Sequence, residues 1–300
     1  MTCDSPSAAP RLLLVDGHAF AYRAFFAIRR LSSPSGAPTN AIYGFIKMLE
    51  KMRAILAPTH LLVVWDGGLA EERTAAHPEY KSQRAPMPSD LEKQIEALQR
   101  WLPAAGLASY CEDGVEADDW IAAMTRRATA AGLPVVIAST DKDFMQLLDS
   151  ERVGLLNTND KSEKVWGAQE VRVRTGVVPE QIVDWLSLIG DNVDNIPGVP
   201  GVGPKTAADL LQQFGSVECL YTRLSEVKSD RLRASLEAAG DIVRRNQRLI
   251  RLKDALPVWP LERALIQPLQ TAELKPMYAE WGFKSLLADL SAGPEQSQLF

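Results

Sequence analysis

Three short apolar runs, each leading into an aspartate, constrain the fold of this chain most strongly. The runs and their aspartates are 11–15 with Asp16, 60–65 with Asp66, and 134–138 with Asp141. Runs this short and this apolar are typical of strands buried on both faces, as in a parallel sheet. The sequence therefore predicts an α/β fold with a mostly parallel central sheet flanked by helices, which would gather the aspartates at one edge.

A second acidic group, Glu116, Asp118 and Asp119, precedes an apolar segment with helical spacing. Carboxylates at a helix start cap free amides and complement the helix dipole, so a purely structural role is one interpretation. For any single aspartate after a strand, a turn or a cap is likewise the simpler interpretation. Because acids recur at three strand ends, and again at Asp191 and Asp194, a shared site accounts for all of them together.

Composition limits the class of protein. Of 300 residues 46% are hydrophobic, enough for a sizeable core, and no run approaches the roughly 20 apolar residues that a membrane helix needs. The first ten residues lack a charged start followed by an apolar region, so we expect a cytoplasmic protein. Cys3, Cys111 and Cys219 are far apart, and we assign them no function. The net charge of −5 argues against a nucleic-acid partner unless bound cations neutralise the clustered acids.

The segment 67–88 is too long and too polar for an ordinary connection, and such loops are usually functional or disordered. It places basic residues beside an aromatic ring, which suits a nucleic-acid backbone and an unstacked base. These residues are Arg73, Tyr80, Lys81 and Arg84. A solvated surface loop is the alternative. The loop ends at Ser89, where Ser89 and Glu92 form a capping-box pattern that predicts a helix start.

Strand and helix patterns alternate only in the first part of the chain. Two short runs, 153–156 and 163–166, are predicted edge strands, and beyond about residue 176 only helix patterns remain. We therefore predict a change of domain there. The predicted regions are a flexible N-terminus (1–10), an α/β domain (11–178), an all-helical domain (179–290) and a C-terminal tail (291–300).

A glycine-rich turn lies near the start of the helical domain. Its glycines allow a tight turn with positive φ values and close backbone approach, and Pro204 suits the first position of the next helix. The amides of that helix start form a candidate phosphate site that reads no base sequence. The candidate contacts are Gly198, Gly201, Gly203, Lys205 and Thr206. The spacing is not that of a Walker loop, and a turn that merely packs two helices is the alternative.

With these motifs the chain resembles the bacterial 5′ nuclease family of flap-endonuclease-like enzymes, in particular the N-terminal 5′→3′ exonuclease domain of DNA polymerase I. The likeness extends over residues 11–290. It is carried by Val-Asp16-Gly, Glu116-Ala-Asp118-Asp119, Asp141-Lys-Asp143, Gly190-Asp191 to Asp194-Asn195, and the Pro-Gly-Val-Pro-Gly-Val-Gly turn. The resemblance implies a PIN-like nuclease fold, a helical arch at about residues 67–100 and a helix-hairpin-helix DNA-binding domain. We expect a free-standing member of the family, without a polymerase domain.

The resemblance implies a set of carboxylates that bind divalent metal ions. The implied ligands are Asp16, Asp66, Glu116, Asp118, Asp119, Asp141, Asp143, Asp191 and Asp194. Oxygen donors select hard cations, so two or more Mg²⁺ or Mn²⁺ ions are expected. Such ions lower the pKa of a bound water and stabilise the leaving oxygen of a phosphodiester. The implied activity is that of a structure-specific 5′→3′ exonuclease and flap endonuclease acting on DNA.

The resemblance also implies roles for basic and aromatic residues. The implied catalytic residues are Arg23, Tyr80, Lys81 and Arg84, and Arg73 is an implied DNA contact. Lys81 and Arg84 would neutralise charge on the scissile phosphate, and Tyr80 would stack on the terminal base. Glu72 stands where relatives tend to carry Phe, which puts the packing of the arch in doubt.

In this family the glycine turn holds a potassium ion through backbone carbonyls, here those of residues around Val199, Val202 and Gly203. The implied partner is branched or 5′-flapped duplex DNA, with RNA primers as a further substrate class, bound by a monomer. Two alternatives stay open. One is a 5′ nuclease that prefers RNA, and the other is a catalytically silent protein that binds DNA junctions. The silent protein has no use for a full set of acids that repel phosphate.

The last five residues, 296–300, carry a separate hypothesis. Gln296, Leu299 and Phe300 resemble the short peptide by which bacterial replication proteins bind the sliding clamp. A frayed tail without a binding function is the alternative.

Overall fold

A computed structural model describes residues 11–149, 151–157, 159–160, 162 and 164–292. The N-terminal region 1–10 and the clamp-binding candidates Gln296, Leu299 and Phe300 lie outside these residues. The strands are β1 (Leu12–Asp16), β2 (His60–Val64), β3 (Ala108–Tyr110), β4 (Val135–Ala138), β5 (Val153–Leu156), β6 (Val165–Trp166), β7 (Gly190–Asp191) and β8 (Ile196–Pro197).

The helices are α1 (Gly17–Ala27), α2 (Asn40–Leu56), α3 (Glu71–Ala76), α4 (Ser89–Ala104), α5 (Ala117–Ala130), α6 (Ala168–Thr175), α7 (Ile182–Ile189), α8 (Pro204–Phe214), α9 (Val217–Thr222), α10 (Asp230–Ala238), α11 (Gly240–Ile250), α12 (Thr271–Trp281) and α13 (Lys284–Ala292). Short 3-10 helices lie at Asp143–Leu147, Pro179–Gln181, Leu224–Glu226 and Leu261–Ala264. Within the described ranges, no helix is long and apolar enough to cross a bilayer.

The chain divides into two compact units, each built from discontinuous segments. The first unit contains residues 11–65, 87–111 and 259–292, and the second contains 66–86 and 112–258. This division differs from the linear one expected near residue 178, because segment 66–86 groups with residues that lie far downstream. The linear domain boundary stays a prediction.

The first unit holds a parallel sheet in the order β3-β2-β1. Every residue of β1 is buried, which explains why the strand is apolar up to Asp16, its last residue. Helix α1 packs on α2, and α2 packs on α4, where Gln94 accepts a hydrogen bond from the Ala41 amide at 2.7 Å. The capping box predicted at Ser89 is wrong: Pro88 is the N-cap of α4, and no side chain caps this helix.

In the second unit β4 pairs with β5 in parallel, and β6 pairs with β5 in the antiparallel direction. The sheet strands are parallel in the first unit and, apart from β6, in the second, and helices flank them, so the predicted fold class is confirmed. The chain from α6 to α11 is helical, as predicted, apart from the small antiparallel ladder of β7 and β8. Two-residue strands leave no period-2 pattern, so the sequence did not indicate this ladder.

The β7–β8 ladder leads directly into the glycine-rich turn. Gly198 lies against the end of α7, and a Cβ atom there would stand 2.3 Å from the carbonyl oxygen of Ile189. Gly203 is the N-cap of α8 and Pro204 its first residue, as predicted. A Cβ atom at Gly203 would have no heavy atom within 4 Å among the described residues. Its φ of −98° is open to any residue, so the positive φ expected there is wrong, whereas Gly201 has the expected conformation at +82°. Gly198 is therefore needed for packing, whereas Gly203 leaves its backbone accessible.

We expect Gly198→Ala to lower the free energy of unfolding by about 1–3 kcal/mol, because the methyl group overlaps the backbone of Ile189. The matched variant Gly203→Ala should stay within about 0.5 kcal/mol of the parent. Urea unfolding followed by circular dichroism measures both. Equal effects of the two substitutions would contradict this account of the turn.

Candidate active site

The loop after β4 presents two carboxylates. The Asp141 amide donates to Ser139 Oγ at 3.1 Å, and the Asp143 amide donates to Asp141 Oδ1 at 2.9 Å. These bonds fold the loop so that Asp143 opens a 3-10 helix close to Asp141. The Oδ1 atom of Asp143 is buried and has no hydrogen-bond partner within the described part of the chain. A buried carboxylate oxygen without a donor is costly, which marks a place where a cation would bind favourably.

The electrostatics of the two aspartates point the same way. Burial raises the pKa of Asp141 and raises that of Asp143 well above its usual range. The negative charges of Asp191 and Asp194 raise both pKa values further. These four carboxylates therefore act on one another, and their excess negative charge is a stabilising environment for a bound cation.

Basic side chains reach two of the same acids. The Lys142 ammonium lies 3.1 Å from Asp191 Oδ2. The Arg84 guanidinium donates to Asp194 Oδ1 at 2.6 Å, and the Lys81 amide donates to the Asp194 carbonyl at 3.0 Å. The segment 67–88, here called the basic segment, is thus attached to the loop between β7 and β8.

Glu116 is the most enclosed of the acids, with 1% of its surface exposed. Its Oε2 atom accepts from Lys81 Nζ at 2.6 Å and from the Tyr80 hydroxyl at 3.2 Å. Its Oε1 atom accepts from the Ala70 amide at 3.0 Å and lies 3.2 Å from Arg73 Nη1. Burial opposes ionisation, but the Lys81 and Arg73 charges hold the pKa of Glu116 below its usual value.

Several residues of the basic segment are buried, although the sequence predicts that they contact DNA. Arg73, Tyr80 and Lys81 are buried, and Arg73 forms a two-pronged ion pair with Asp119 at 2.7 and 2.8 Å. The expected contact of Arg73 with DNA and the stacking of Tyr80 on a base are not offered by this arrangement, because both side chains face buried carboxylates. Only Arg84 keeps a substantial part of its side chain, 42%, in solvent.

Two candidates belong to the first unit. Asp16 lies at the carboxyl end of β1 and is the N-cap of α1, accepting from the Ala19 amide at 3.0 Å. Arg23 is half-buried on α1. All other candidate acids are in the second unit, where Asp66 and Asp118 are half-buried.

The family departure at Glu72 has a structural explanation. Glu72 is in the first turn of α3, and its exposed carboxylate lies 2.6 Å from Lys253 Nζ. Glu72 therefore forms an ion pair with the segment that follows α11. A Phe at position 72 would instead need an apolar partner.

Sequence reasoning gave no role to Asn195, which holds the basic segment in place. Its carbonyl contacts the His77 Nε2 atom at 3.0 Å, and its side-chain amide donates to the Glu79 carbonyl at 2.9 Å. Gln83 donates to its Oδ1 atom at 3.0 Å. Asn195 has a φ of +57°, a conformation that Asn tolerates better than most residues, and this preference was the available signal.

Among the residues that the structure describes, no group of three or more His, Cys, Asp or Glu side chains has the arrangement of a metal site. Ammonium and guanidinium groups form ion pairs with several of the acids instead. The donor chemistry nevertheless fits a hard divalent cation, because Asp141 and Asp143 supply carboxylate oxygens and Asp143 Oδ1 is buried without a donor.

The glycine turn offers a second, separate surface. Lys205 is exposed and Thr206 half-buried in the first turn of α8. The Val199 carbonyl accepts from the Val202 amide at 3.0 Å, and the Gly203 carbonyl accepts from the Ala207 amide at 2.9 Å. Each carbonyl has a second lone pair, so the potassium site predicted there is compatible with these bonds and stays a prediction.

Two family models together match most of the chain. The model described as 5'-3' exonuclease, N-terminal resolvase-like domain matches residues 11–176, and the model described as 5'-3' exonuclease, C-terminal SAM fold matches residues 177–272. A 5'-3' exonuclease of Aquifex aeolicus (strain VF5) is 37% identical over 280 residues, which cover 93% of this chain and 94% of that protein.

DNA polymerase I of Bacillus caldotenax is 36% identical over 290 residues, covering 96% of this chain. The chain spans about a third of the length of this relative, since the match covers 33% of it. A T5 5'-exonuclease structure with divalent metal ions (zinc) bound has a TM-score of 0.68 at 22% identity, covering 94% of this chain and 97% of that chain. The catalytic core of Rad2 in complex with DNA substrate has a TM-score of 0.63 at 15% identity, covering 96% and 93%. At these identities the structural likeness concerns the fold.

We expect Lys81→Met to lower the free energy of unfolding by about 3 kcal/mol, because it removes a counter-charge from the buried Glu116 carboxylate. The matched control is Arg126→Met, which breaks an exposed pair with Asp254 and should cost less than about 1 kcal/mol. Urea unfolding at neutral pH measures both variants. Comparable losses would show that the burial of the Lys81–Glu116 pair has no energetic consequence.

Proposed function

The chain belongs to the 5'-3' exonuclease family, and from this premise we propose that it is a metal-dependent 5′→3′ exonuclease and flap endonuclease that hydrolyses DNA. One observation carries the proposal. Asp141 and Asp143 lie in a loop at a strand's carboxyl end, and burial and neighbouring acids raise the pKa of both. Within the described residues, one buried oxygen of Asp143 lacks a donor. A catalytically silent binding protein would have no reason to keep this uncompensated negative charge.

We propose that carboxylates on this chain hold two or more Mg²⁺ or Mn²⁺ ions. The proposed ligands are Asp16, Asp66, Asp118, Asp141, Asp143, Asp191 and Asp194. Glu116 and Asp119, which the resemblance also implies, are left out because donors of the protein already engage their oxygen atoms. When bound, such ions supply an activated water and stabilise the leaving oxygen of a phosphodiester. Among the protein's own residues, Lys81 helps to hold the pKa of Glu116 below its usual value, and Lys142 pairs with Asp191.

Arg84 is the basic residue best placed to meet a phosphate. It donates one hydrogen bond to Asp194, and 42% of its side chain is exposed to solvent. A guanidinium has five N–H donors, so others remain for a phosphate oxygen. Lys81 and Tyr80 are proposed to position the Glu116 carboxylate through their hydrogen bonds and not to contact a base.

The glycine turn is proposed to grip the duplex through its phosphates. Gly201 and Gly203 have no heavy atom within 4 Å of a would-be Cβ, so a strand can approach their backbone closely. The start of α8 adds free amides, and Lys205 adds an exposed positive charge. A potassium ion at the carbonyls of Val199, Val202 and Gly203 is part of this proposal.

We propose 5′-flapped duplex DNA as the substrate, processed by a monomer in the cytoplasm. An RNA-preferring 5′ nuclease is the competing proposal within the same family. Paired 5′ flaps of identical sequence, one DNA and one RNA, separate the two by their relative kcat/KM.

Asp143→Asn should reduce cleavage of a 5′-flapped duplex in Mg²⁺ by roughly 100-fold or more, because it removes a charged oxygen donor from the proposed metal site. DNA affinity should stay the same or rise slightly, since one repelling charge is lost. The control is Asp230→Asn, whose carboxylate is exposed on α10. Initial rates from a labelled 5′ flap and fluorescence anisotropy in Ca²⁺ give the two readouts. Retained cleavage in Asp143→Asn would remove the proposed role of this loop.

We propose that residues 296–300 bind a bacterial sliding clamp. Deleting them should weaken binding to that clamp at least about tenfold while leaving flap cleavage in the absence of the clamp unchanged. Surface plasmon resonance with immobilised clamp measures the first effect, and the Leu299→Ala, Phe300→Ala double variant is the matched point substitution. Unchanged affinity after deletion, or none in the full chain, would refute the proposal.

A further inference from the structure

Side chains from other elements of the second unit hold the end of helix α11. The last carbonyls of a helix lack amide partners within the helix, so other groups must satisfy them. Arg73 Nε donates to the Leu249 carbonyl at 2.9 Å, and Gln146 Nε2 donates to the Ile250 carbonyl at 3.1 Å. The Gln146 side chain then accepts from the Leu252 amide at 3.1 Å. The chain leaving α11 is therefore fixed by α3 and by the 3-10 helix that begins at Asp143.

Asp119 completes this attachment. Its Oδ1 atom accepts from Arg73 Nη2 at 2.7 Å and from the Lys253 amide at 2.9 Å, and its Oδ2 atom accepts from Arg73 Nη1 at 2.8 Å. Both side chains are 4% exposed. Three of the roughly four lone-pair directions of the carboxylate are thus in use. A metal ion at the remaining direction, on Oδ2, would lie beside the Arg73 guanidinium and be repelled by its charge, and displacing Arg73 would break a buried two-pronged ion pair.

The same last turn of α11 is attached to the glycine-rich turn. Asn246 is fully buried, and its amide donates to the Ser187 carbonyl at 3.0 Å and to the Pro197 carbonyl at 2.7 Å. Pro197 immediately precedes Gly198. Asn246 and Leu249 are three residues apart, a rise of about 4.5 Å, so both attachments lie within one helical turn.

We propose that this last turn of α11 is a rigid link that sets the distance between the glycine turn and the acids, and therefore the position of the cut. Arg73 and Asp119 are positioning residues in this link, and Asp119 is not a metal ligand. The effect on the cut position rests on the proposed function. The contacts of Arg73 and Asp119 do not, because they are contacts of the folded chain itself.

The geometry explains why a shift there would change the cut position. Arg73 is on α3, which leads into the segment that carries Lys81 and Arg84, and Asp119 follows Asp118 in the first turn of α5. Asn246 acts on the other side, next to the turn proposed to hold the duplex. Loosening either attachment lets the gripped duplex move relative to the acids, so that phosphates beside the normal one are also presented.

The test compares the full chain with Asp119→Asn, Arg73→Lys, Gln146→Ala and Asp143→Asn. Calorimetric titration of the protein with Mn²⁺ alone is the first readout. Asp119→Asn should keep the Mn²⁺ affinity within about twofold, whereas Asp143→Asn should weaken it at least about tenfold. A loss in Asp119→Asn equal to that in Asp143→Asn would overturn the assignment of Asp119.

The second readout is the length distribution of products from a 5′-labelled flapped duplex at single-nucleotide resolution. Asp119→Asn and Gln146→Ala should spread cleavage over neighbouring phosphates, and Arg73→Lys, which keeps the charge but loses the two-pronged geometry, should be intermediate. Gln146→Ala reaches the link from a different element, so a folding defect at Arg73 does not decide the outcome. An unchanged distribution in all three variants would overturn the link.

A thermodynamic cycle tests the contact itself. The Arg73→Met and Asp119→Asn substitutions should be non-additive by about tenfold or more in the unfolding equilibrium constant. The exposed pair Arg126 and Asp254, changed in the same way, should show almost no coupling. If the parent chain cleaves no flap, the proposed function fails, yet Mn²⁺ titration and this cycle still decide the role of Asp119. Additive Arg73 and Asp119 effects would overturn the pair.

Discussion

The second unit depends on how its buried carboxylates are neutralised. An ionised carboxylate removed from water needs donors or a counter-charge, or it takes up a proton. Glu116 receives an ammonium, a guanidinium, a phenol and a backbone amide, and Asp119 receives both prongs of Arg73. These contacts fold the basic segment onto the acids. The segment that sequence reasoning treated as a DNA-facing loop is therefore largely an internal source of positive charge.

Neutralisation is uneven, and the unevenness separates structural acids from acids available for chemistry. Asp119 has three of its roughly four lone-pair directions engaged, whereas Asp143 has a buried oxygen without a donor among the described residues and a strongly raised pKa. A site that binds divalent ions must keep such unsatisfied oxygen atoms, even though they lower the stability of the metal-free fold. The positive groups nearby limit that cost, since Lys142 pairs with Asp191 and Arg84 with Asp194.

Helix α11 relates the acids to the glycine turn because buried polar groups join it to both. Asn246 is a polar residue on the apolar face formed by Val243, Leu249 and Ile250, and its hydrogen bonds to two carbonyls and from Arg245 make that burial tolerable. The same logic applies to Arg73 at the helix end. Buried hydrogen bonds have few alternative partners, so they define one relative position more strictly than apolar contacts do.

The amino-acid sequence by itself determined the α/β class, the buried parallel strands, the helix start at Pro204 and the list of candidate acids. These features are local: apolar runs, turn residues and motif spacing report the burial and conformation of a single element. Only the tertiary structure decided which acids are compensated and by which residues. Arg73 and Asp119 are 46 positions apart, and Gln146 and Ile250 are 104 apart. No periodicity records such pairs, because an ion pair forms only where the packing of distant elements brings two side chains within about 3 Å.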